Sequence, residues 1–360
     1  MNKNSKIYIA GHTGLVGSAL YRRLNADGYA NLIVRDHSDL DLTKQIEVEA
    51  FFQTEKPEYV FLAAAKVGGI MANYAYPAEF IYTNLIIQTN VIHAAYKTGV
   101  KRLLFLGSSC IYPKECPQPM KEEYLLTGSL EPTNEPYAVA KISGIKMCQA
   151  YNRQYGTQYL CVMPTNLYGP NDNFDLETSH VLPALIRKFH LAKLAHREDW
   201  EGIRKDEQIY GKIPDDVKAA MGFGISSSGH ITPISGSRPT VQLWGSGNPR
   251  REFLHVDDLA DVCIFLSKFK EEDLRQIFKS DDTPLFNVGC GEDRTIKEIA
   301  LIISEVVGCQ ADVKWDQNKP DGTIQKLLDI SHISRLGWKP SIDLIEGVHS
   351  VYGWYLKSIH

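Results

Sequence analysis

The chain has 360 residues, of which 44% are hydrophobic and 23% charged, with a formal net charge of -4. That length can bury a substantial core and leaves room for two unequal domains, while the slightly acidic balance argues against nucleic acid as a partner. No apolar run reaches the roughly 20 residues of a membrane-spanning helix, and Met1 to Lys6 is polar where a signal peptide needs an apolar stretch, so a cytoplasmic protein with no membrane partner is expected.

The seven cysteines lack the paired C-x-x-C spacing of a zinc site. No metal is expected, and most of them should be buried small hydrophobes.

In chain order, Lys6 to Ala10 reads as a strand ending at Gly11, followed by a helix from Leu15 to Leu24. The rhythm repeats, with Leu32 to Arg35 as strand, Val48 to Phe52 as helix, Tyr59 to Ala63 as strand, Phe80 to Tyr96 as helix and Arg102 to Leu106 as strand. Asn134-Glu135-Pro136 opens a further helix, with Asn134 as N-cap and proline in the first turn, and Tyr159 to Met163 reads as another buried strand.

After Pro170 this rhythm breaks. Arg197 to Pro239 mixes charge, glycine and serine with little periodicity, as a partly helical excursion or a long loop would. Phe286 to Gly289 resembles a late strand, and Thr295 with Glu298 has capping-box spacing ahead of Ile299, Leu301, Ile302 and Val306.

Alternating strands and helices predict an α/β fold: a Rossmann-like, doubly wound parallel sheet with right-handed crossovers, joined to a smaller C-terminal α/β domain. The first domain is expected over residues 1–170, with later segments near 241–290 contributing to it. The second covers mainly 171–360 and contains the excursion at 197–239.

Gly11, Gly14 and Gly17 stand at G-x-x-G-x-x-G spacing in the first strand-to-helix turn. Bare backbone there lets a phosphate approach the helix N-terminus, where free N–H groups and the dipole favour negative charge. A dinucleotide is therefore the expected ligand. At the end of the second predicted strand, Arg35 suits a 2'-phosphate and Asp36 suits a bare ribose, which leaves NADPH and NADH both open.

Tyr137 and Lys141 lie four apart on one face of the helix that Pro136 begins. A nearby ammonium favours tyrosinate and makes the phenol a better proton donor to a developing alkoxide. In a chain this rich in tyrosine and lysine the spacing arises about once by chance, so context must decide. Ser108 supplies it, standing just past the carboxyl end of a predicted strand, where open α/β sheets bind their ligands.

Glycine turn, Ser108, Tyr137 and Lys141 together resemble the extended short-chain dehydrogenase/reductase superfamily. The stretches Gly107 to Pro113, Glu131 to Tyr137 and Met163 to Pro170 narrow this, being similar to signatures of the GDP-L-fucose synthase family. Further similar stretches are Ala63 to Gly69, Ser179-His180, Trp244 to Gly247, Arg251 to Asp258 and Lys319 to Thr323, leaving mainly 197–239 uncovered.

The resemblance implies epimerisation at C3 and C5 of GDP-4-keto-6-deoxy-D-mannose, then reduction at C4 by NADPH, with NADH as a possible substitute. It gives Cys110 as epimerisation base and His180 as acid, Tyr137 as proton donor to the C4 oxygen, Ser108 as its positioning partner and Lys141 as the group that lowers the tyrosine pKa. Thiol and imidazole suit proton transfer because their ordinary pKa values, about 8.5 and 6.5, bracket neutrality.

Also by resemblance, the cofactor path takes in Gly11, Thr13, Gly14, Leu15, Val16, Gly17, Arg35, His37, Asp41, Leu42, Ala64, Leu106, Gly107, Lys141, Pro164, Asn166, Leu167 and His180. The GDP-sugar would meet Asn166, Lys188, Trp244, Arg251 and Asp321. Lys188 stands where the family carries arginine, and Arg187 next door is a candidate substitute. Thr13 stands where many relatives carry arginine, and His37 where some have another near the 2'-phosphate.

A homodimer through the Phe80–Tyr96 and Tyr137–Tyr151 helices is expected on the same ground. Two other readings are a GDP-L-colitose synthase-type C5 epimerase/C4 reductase and, more remotely, a dinucleotide-binding regulator without catalysis.

Overall fold

The computed structural model describes residues 1–225, 231–234, 238–270, 272, 285–309, 311–319 and 321–359, excepting the side chains of 70 and 71. Parts of the predicted excursion (226–230 and 235–237), of the 241–290 segment (271 and 273–284) and Pro320 lie outside the described residues.

The chain divides into two compact units. The first comprises Met1–Leu167, Glu252–Glu292 and Leu327–Ser341; the second comprises Tyr168–Arg251, Asp293–Lys326 and Ile342–His360.

The first unit begins as the periodicity predicts, with β1 (Ile7–Ala10), α1 (Leu15–Ala26), β2 (Leu32–Ile33), α2 (Gln45–Glu55) and β3 (Tyr59–Leu62), then adds an unpredicted short α3 (Ile70–Ala75) before the expected α4 (Pro77–Lys97), β4 (Arg102–Leu106), α5 (Glu135–Tyr155) and β5 (Tyr159–Pro164). β6 (Asn166–Tyr168) follows at the edge of the unit. β2 stops two residues before Arg35, so the predicted strand is longer than the observed one.

All six strands of the main sheet are parallel, in the order β11-β5-β4-β3-β1-β2, where β11 is Leu285–Val288. β4 and β5 are buried at every position, the near-continuous apolar reading of strands covered on both faces. Separate apolar clusters fill the two faces. One sets Phe52, Val91 and Ile145 under α2, α4 and α5, and the other sets Leu20, Val262 and Ile264 under α1 and α9 (Val256–Lys268).

In the second unit α6 (Val181–His196), α7 (Trp200–Tyr210) and α8 (Asp215–Ala220) precede an antiparallel hairpin of β7 (Phe223–Ile225) and β8 (Ile231–Pro233). The excursion is thus ordered and partly helical over these described stretches.

Its anchor is Arg187, fully buried, which donates to Asp206 of α7 at 2.8 Å and to the carbonyls of Phe174, Tyr210 and Gly211. This unit also holds β9 (Thr240–Trp244), which pairs in parallel with β13 (Asp312–Asp316), and the start of β10 (Arg250–His255), whose Arg250 and Arg251 pair with β14 (Gln325–Lys326). β12 (Asp293–Thr295) leads into α10 (Ile296–Val307), and α12 (Leu344–Ile359) follows α11 (Ser331–Arg335) of the first unit.

Both arms of the predicted capping box are present, Glu298 N–H donating to Thr295 Oγ1 at 3.1 Å and Thr295 N–H to Glu298 Oε2 at 2.7 Å. At α5 the cap differs from the prediction. Asn134 occupies the N-cap position but its side chain makes no cap bond, and its Oδ1 is buried without a partner.

Candidate active site

In the first unit the glycine turn brings bare backbone to the start of α1. Gly11 sits at φ +81, and a Cβ there would lie 2.9 Å from Ala64 Cα; a Cβ on Gly17 would lie 2.0 Å from Gly11 O. Gly14 is the N-cap of α1, no side chain caps the helix, and its first turn carries no acidic residue. The free N–H groups and positive end of the dipole therefore face outward unclaimed. Thr13 and Gly14 are exposed, and Leu15 and Val16 are half-buried behind them.

Beyond β2 lies Arg35, a residue expected at the cofactor. Its guanidinium is 2.6 Å from Glu55, donates to Val34 O at 2.7 Å and lies over the Phe51 ring, so Glu55 has claimed the charge. His37 is almost wholly exposed, 3.8 Å from Asp41. Asp41 accepts from the Thr43 N–H and hydroxyl, bonds that hold its carboxyl below the usual range. Leu42, Leu106 and Gly107 are buried, as is Pro164 at the end of β5. Leu42 and Leu106 serve the core, and a Cβ on Gly107 would meet Met163 Sδ at 2.3 Å. Ala64 and Leu167 are partly buried against the core clusters.

Ser108, Cys110, Tyr137 and Lys141 are brought together. Ser108 caps a short 3-10 turn, accepting from the Cys110 N–H at 3.4 Å, and so fixes the thiol just beyond β4. Cys110 interacts electrostatically with both Tyr137 and Lys141, which places one thiol beside the whole dyad.

Lys141 is buried, its Nζ donating to Leu106 O at 2.7 Å and lying 4.9 Å from the Phe105 ring centroid and 5.7 Å from that of Tyr137. Burial brings its pKa down to about 8. The Tyr137 phenol is pushed up, first by burial and then by Cys110. The expected lowering by Lys141 is therefore not what this arrangement produces, because the ammonium is turned to a carbonyl and desolvation of the phenol prevails.

Two buried polar residues of α4 hold these groups and went unread in the sequence. Gln88 donates to Ala140 O at 2.6 Å, pinning α5 between Tyr137 and Lys141, and Asn84 exchanges bonds with the Lys66 backbone in the Ala63 to Gly69 loop. Phe80, from the same helix, meets the Tyr137 ring edge-on at 6.2 Å. The available signal was Asn84 and Gln88 spaced i, i+4 within an otherwise apolar helical face. Glu252 was also missed. It is fully buried and accepts from the Gly291 and Leu328 N–H groups, while its carbonyl accepts from Thr165 and Asn166.

The second unit holds the remaining predicted residues. His180 is the N-cap of α6 without a side-chain cap bond, and desolvation lowers its pKa. Nearby in sequence, Asp172 has a buried, unpartnered Oδ2 and a carboxyl pushed up to about 7 by burial.

Lys188 donates to Gln242 O at 3.1 Å, and burial lowers its pKa. Arg187 cannot substitute for it, being spent on Asp206 and three carbonyls in the core. Trp244 is half exposed, with the Lys319 ammonium 5.2 Å from its ring centroid. Arg251 donates to Arg250 O and Thr323 O, and Asp321 accepts from the Ser246 N–H at 2.8 Å and hydroxyl at 2.7 Å, which clamps the turn at Gly245. Among the described residues no cluster of His, Cys, Asp or Glu is arranged to hold a metal, and no helix is long and apolar enough to cross a membrane.

The NAD dependent epimerase/dehydratase family profile matches residues 7–211 and 228–279, which cover the glycine turn, the Ser-Tyr-Lys set and His180. The chain belongs to this family. Within the epimerase/dehydratase family it is 51% identical over 358 residues to GDP-L-fucose synthase 1 of Arabidopsis thaliana, covering 99% of this chain and 95% of that one. It is 32% identical to GDP-L-colitose synthase of Yersinia pseudotuberculosis over 98% of both chains. Among solved structures, a GDP-D-glycero-L-gluco-heptose synthase from Campylobacter jejuni in the presence of NADPH is 42% identical over 99% of both chains, with TM-score 0.86.

Proposed function

We propose that this chain is a bifunctional epimerase and reductase that converts GDP-4-keto-6-deoxy-D-mannose to GDP-L-fucose with NADPH, NADH serving as an alternative donor. The observation that carries the reading is the Cys110 thiol beside Tyr137 and Lys141, a second proton-transfer group in a reductase site. The 51% identity to a GDP-L-fucose synthase, against 32% to a GDP-L-colitose synthase, favours the 6-deoxy over the 3,6-dideoxy substrate.

A ketone makes its α-hydrogens acidic once the enolate is stabilised, so C3 and C5 invert by loss of a proton from one face and its return on the other. Cys110 takes the role of base and His180 that of acid, its lowered pKa easing proton release. The bound dinucleotide supplies the hydride for C4. Tyr137 gives its proton to the C4 oxygen, for which the high phenol pKa keeps the proton in place until an alkoxide forms. Ser108 orients that oxygen, and the Lys141 ammonium offsets its developing charge. Arg251, Lys188 and Trp244 take the GDP portion, and the free N–H groups at the start of α1 hold the dinucleotide phosphates.

Purified protein given the keto-sugar and NADPH should yield GDP-L-fucose by chromatography and NMR; recovery of unchanged keto-sugar refutes the reading. A dimer through α4 and α5 is part of the proposal, supported by the exposed Tyr82, Val139 and Tyr155 on those helices, and light scattering at the monomer mass refutes it. A cytoplasmic location is part of the same reading, and cysteines held without disulfides suit that reducing compartment.

A further inference from the structure

We propose that Gln88 is a positioning residue for the reductive step, its carboxamide fixing where α5 lies along α4 and so where Lys141 meets Tyr137. The inference rests on the reductase reading above and concerns a side chain that acts through the α5 backbone.

Phe80, Asn84 and Gln88 follow one another at i, i+4 and i+8, which puts them on a single stripe of α4. All three are buried. Phe80 meets the Tyr137 ring edge-on, Asn84 holds the Lys66 backbone, and Gln88 donates at 2.6 Å to Ala140 O, the carbonyl immediately before Lys141. An apolar residue at 88 would fill the same space without burying an amide. Nor does the carbonyl need the bond, since inside a helix Ala140 O already takes the Gly144 N–H four residues on. The glutamine therefore adds position and rescues no orphaned group.

Gly144 completes the arrangement. A Cβ there would lie 2.9 Å from Gln88 Oε1 and 2.4 Å from Cζ of Phe105, so only a glycine lets the amide and the β4 ring close on α5 together. That Phe105 ring is the one over which the Lys141 ammonium lies, and the next residue, Leu106, supplies the carbonyl to which the ammonium donates. Glutamine from α4 and phenylalanine from β4 thus grip α5 in the turn that follows Lys141. A slide of α5 by about 1 Å would draw Nζ off Leu106 O and away from Tyr137, a displacement large enough to cost a positioned group much of its effect.

Gln88→Met keeps the length and much of the volume and removes the amide. With purified full-length protein, the keto-sugar and NADPH, kcat for reduction should fall about 10–100-fold, while KM for the keto-sugar stays within about twofold. Released from its seat the Lys141 ammonium gains water, so the alkaline limb of kcat/KM, expected near pH 8 in the wild type, should move up by about one pH unit. Deuterium exchange from solvent into C3 and C5, followed without NADPH, should continue at the wild-type rate because it is assigned to Cys110 and His180. Gly144→Ala, which displaces the same amide and ring, should reproduce this pattern and keeps the inference testable if Gln88→Met does not fold. Wild-type kcat with the limb still near pH 8 overturns the inference and leaves the function reading standing. A parallel loss of exchange and reduction, or loss of the folded protein in both variants, makes the residue structural and overturns it too. A wild type that does not reduce the keto-sugar overturns the function reading as well.

Discussion

Replacing Arg187 with methionine is expected to destabilise the protein by about 3–5 kcal/mol, the usual cost of removing one partner of a buried ion pair, while leaving its affinity for GDP intact. The side chain is fully buried, and its guanidinium serves Asp206 and the carbonyls of Phe174, Tyr210 and Gly211. Methionine keeps much of the volume but donates nothing, so three carbonyls and a carboxylate lose a donor at once. Burial already raises the Asp206 pKa against the pull of Arg187; without the guanidinium the carboxyl takes up a proton or leaves the core. Against a typical total of about 5–15 kcal/mol the loss is severe, and the melting temperature should fall by roughly 10 °C. Urea unfolding followed by circular dichroism gives the stability and calorimetric titration with GDP gives the affinity. The neighbouring Lys188→Met should do the reverse, weakening GDP binding with little change in the unfolding midpoint. An Arg187→Met protein that unfolds at the wild-type urea concentration but binds GDP about tenfold more weakly would refute this assignment of the two cations.

Tyr137→Phe should lower C4 reduction by about 10²–10⁴-fold, the usual worth of a positioned acid, while deuterium from solvent still enters C3 and C5 of the keto-sugar; Cys110→Ser should stop that exchange and spare reduction of an already epimerised substrate. Equal loss of both steps in either variant contradicts the division of labour. Because burial lowers the Lys141 pKa to about 8, its ammonium is present below that pH and lost above it, so kcat/KM for reduction should fall as pH rises through about 8. Lys141→Arg should remove that limb, and a profile flat to pH 10 in the wild type counts against a role for the charge. Gly17→Ala drives a methyl to within 2.0 Å of Gly11 O, so the turn must open and dinucleotide affinity should drop; unaltered NADPH titration would show that the turn is not the phosphate site.

The sheet was legible because its strands are buried on both faces and read as unbroken apolar runs, as β4 and β5 do. Ser108, Tyr137 and Lys141 were legible because each follows a strand end or opens a helix, places that local sequence marks. The rest depends on partners far along the chain. Nothing near Arg35 reveals that Glu55 claims it, and nothing near Arg187 reveals that Asp206 and three carbonyls do. The raised phenol of Tyr137 likewise follows from packing by residues of other elements, Phe80 among them. Spacing finds a dyad; it does not supply the dielectric around it.

The bonds to Glu252 have a consequence for the order of synthesis. Its carboxylate joins Gly291 and Leu328, and its carbonyl joins Thr165 and Asn166, so one residue stitches together strands of chain that leave the ribosome far apart in time. Leu328 follows Asn166 by some 160 positions, roughly 10–30 s of translation. A nascent chain stalled before Leu328 carries a Glu252 carboxylate that has the Gly291 N–H but lacks its second backbone donor. Completion of the first unit is thereby tied to Leu327–Ser341, a segment made well after the last strand of its sheet.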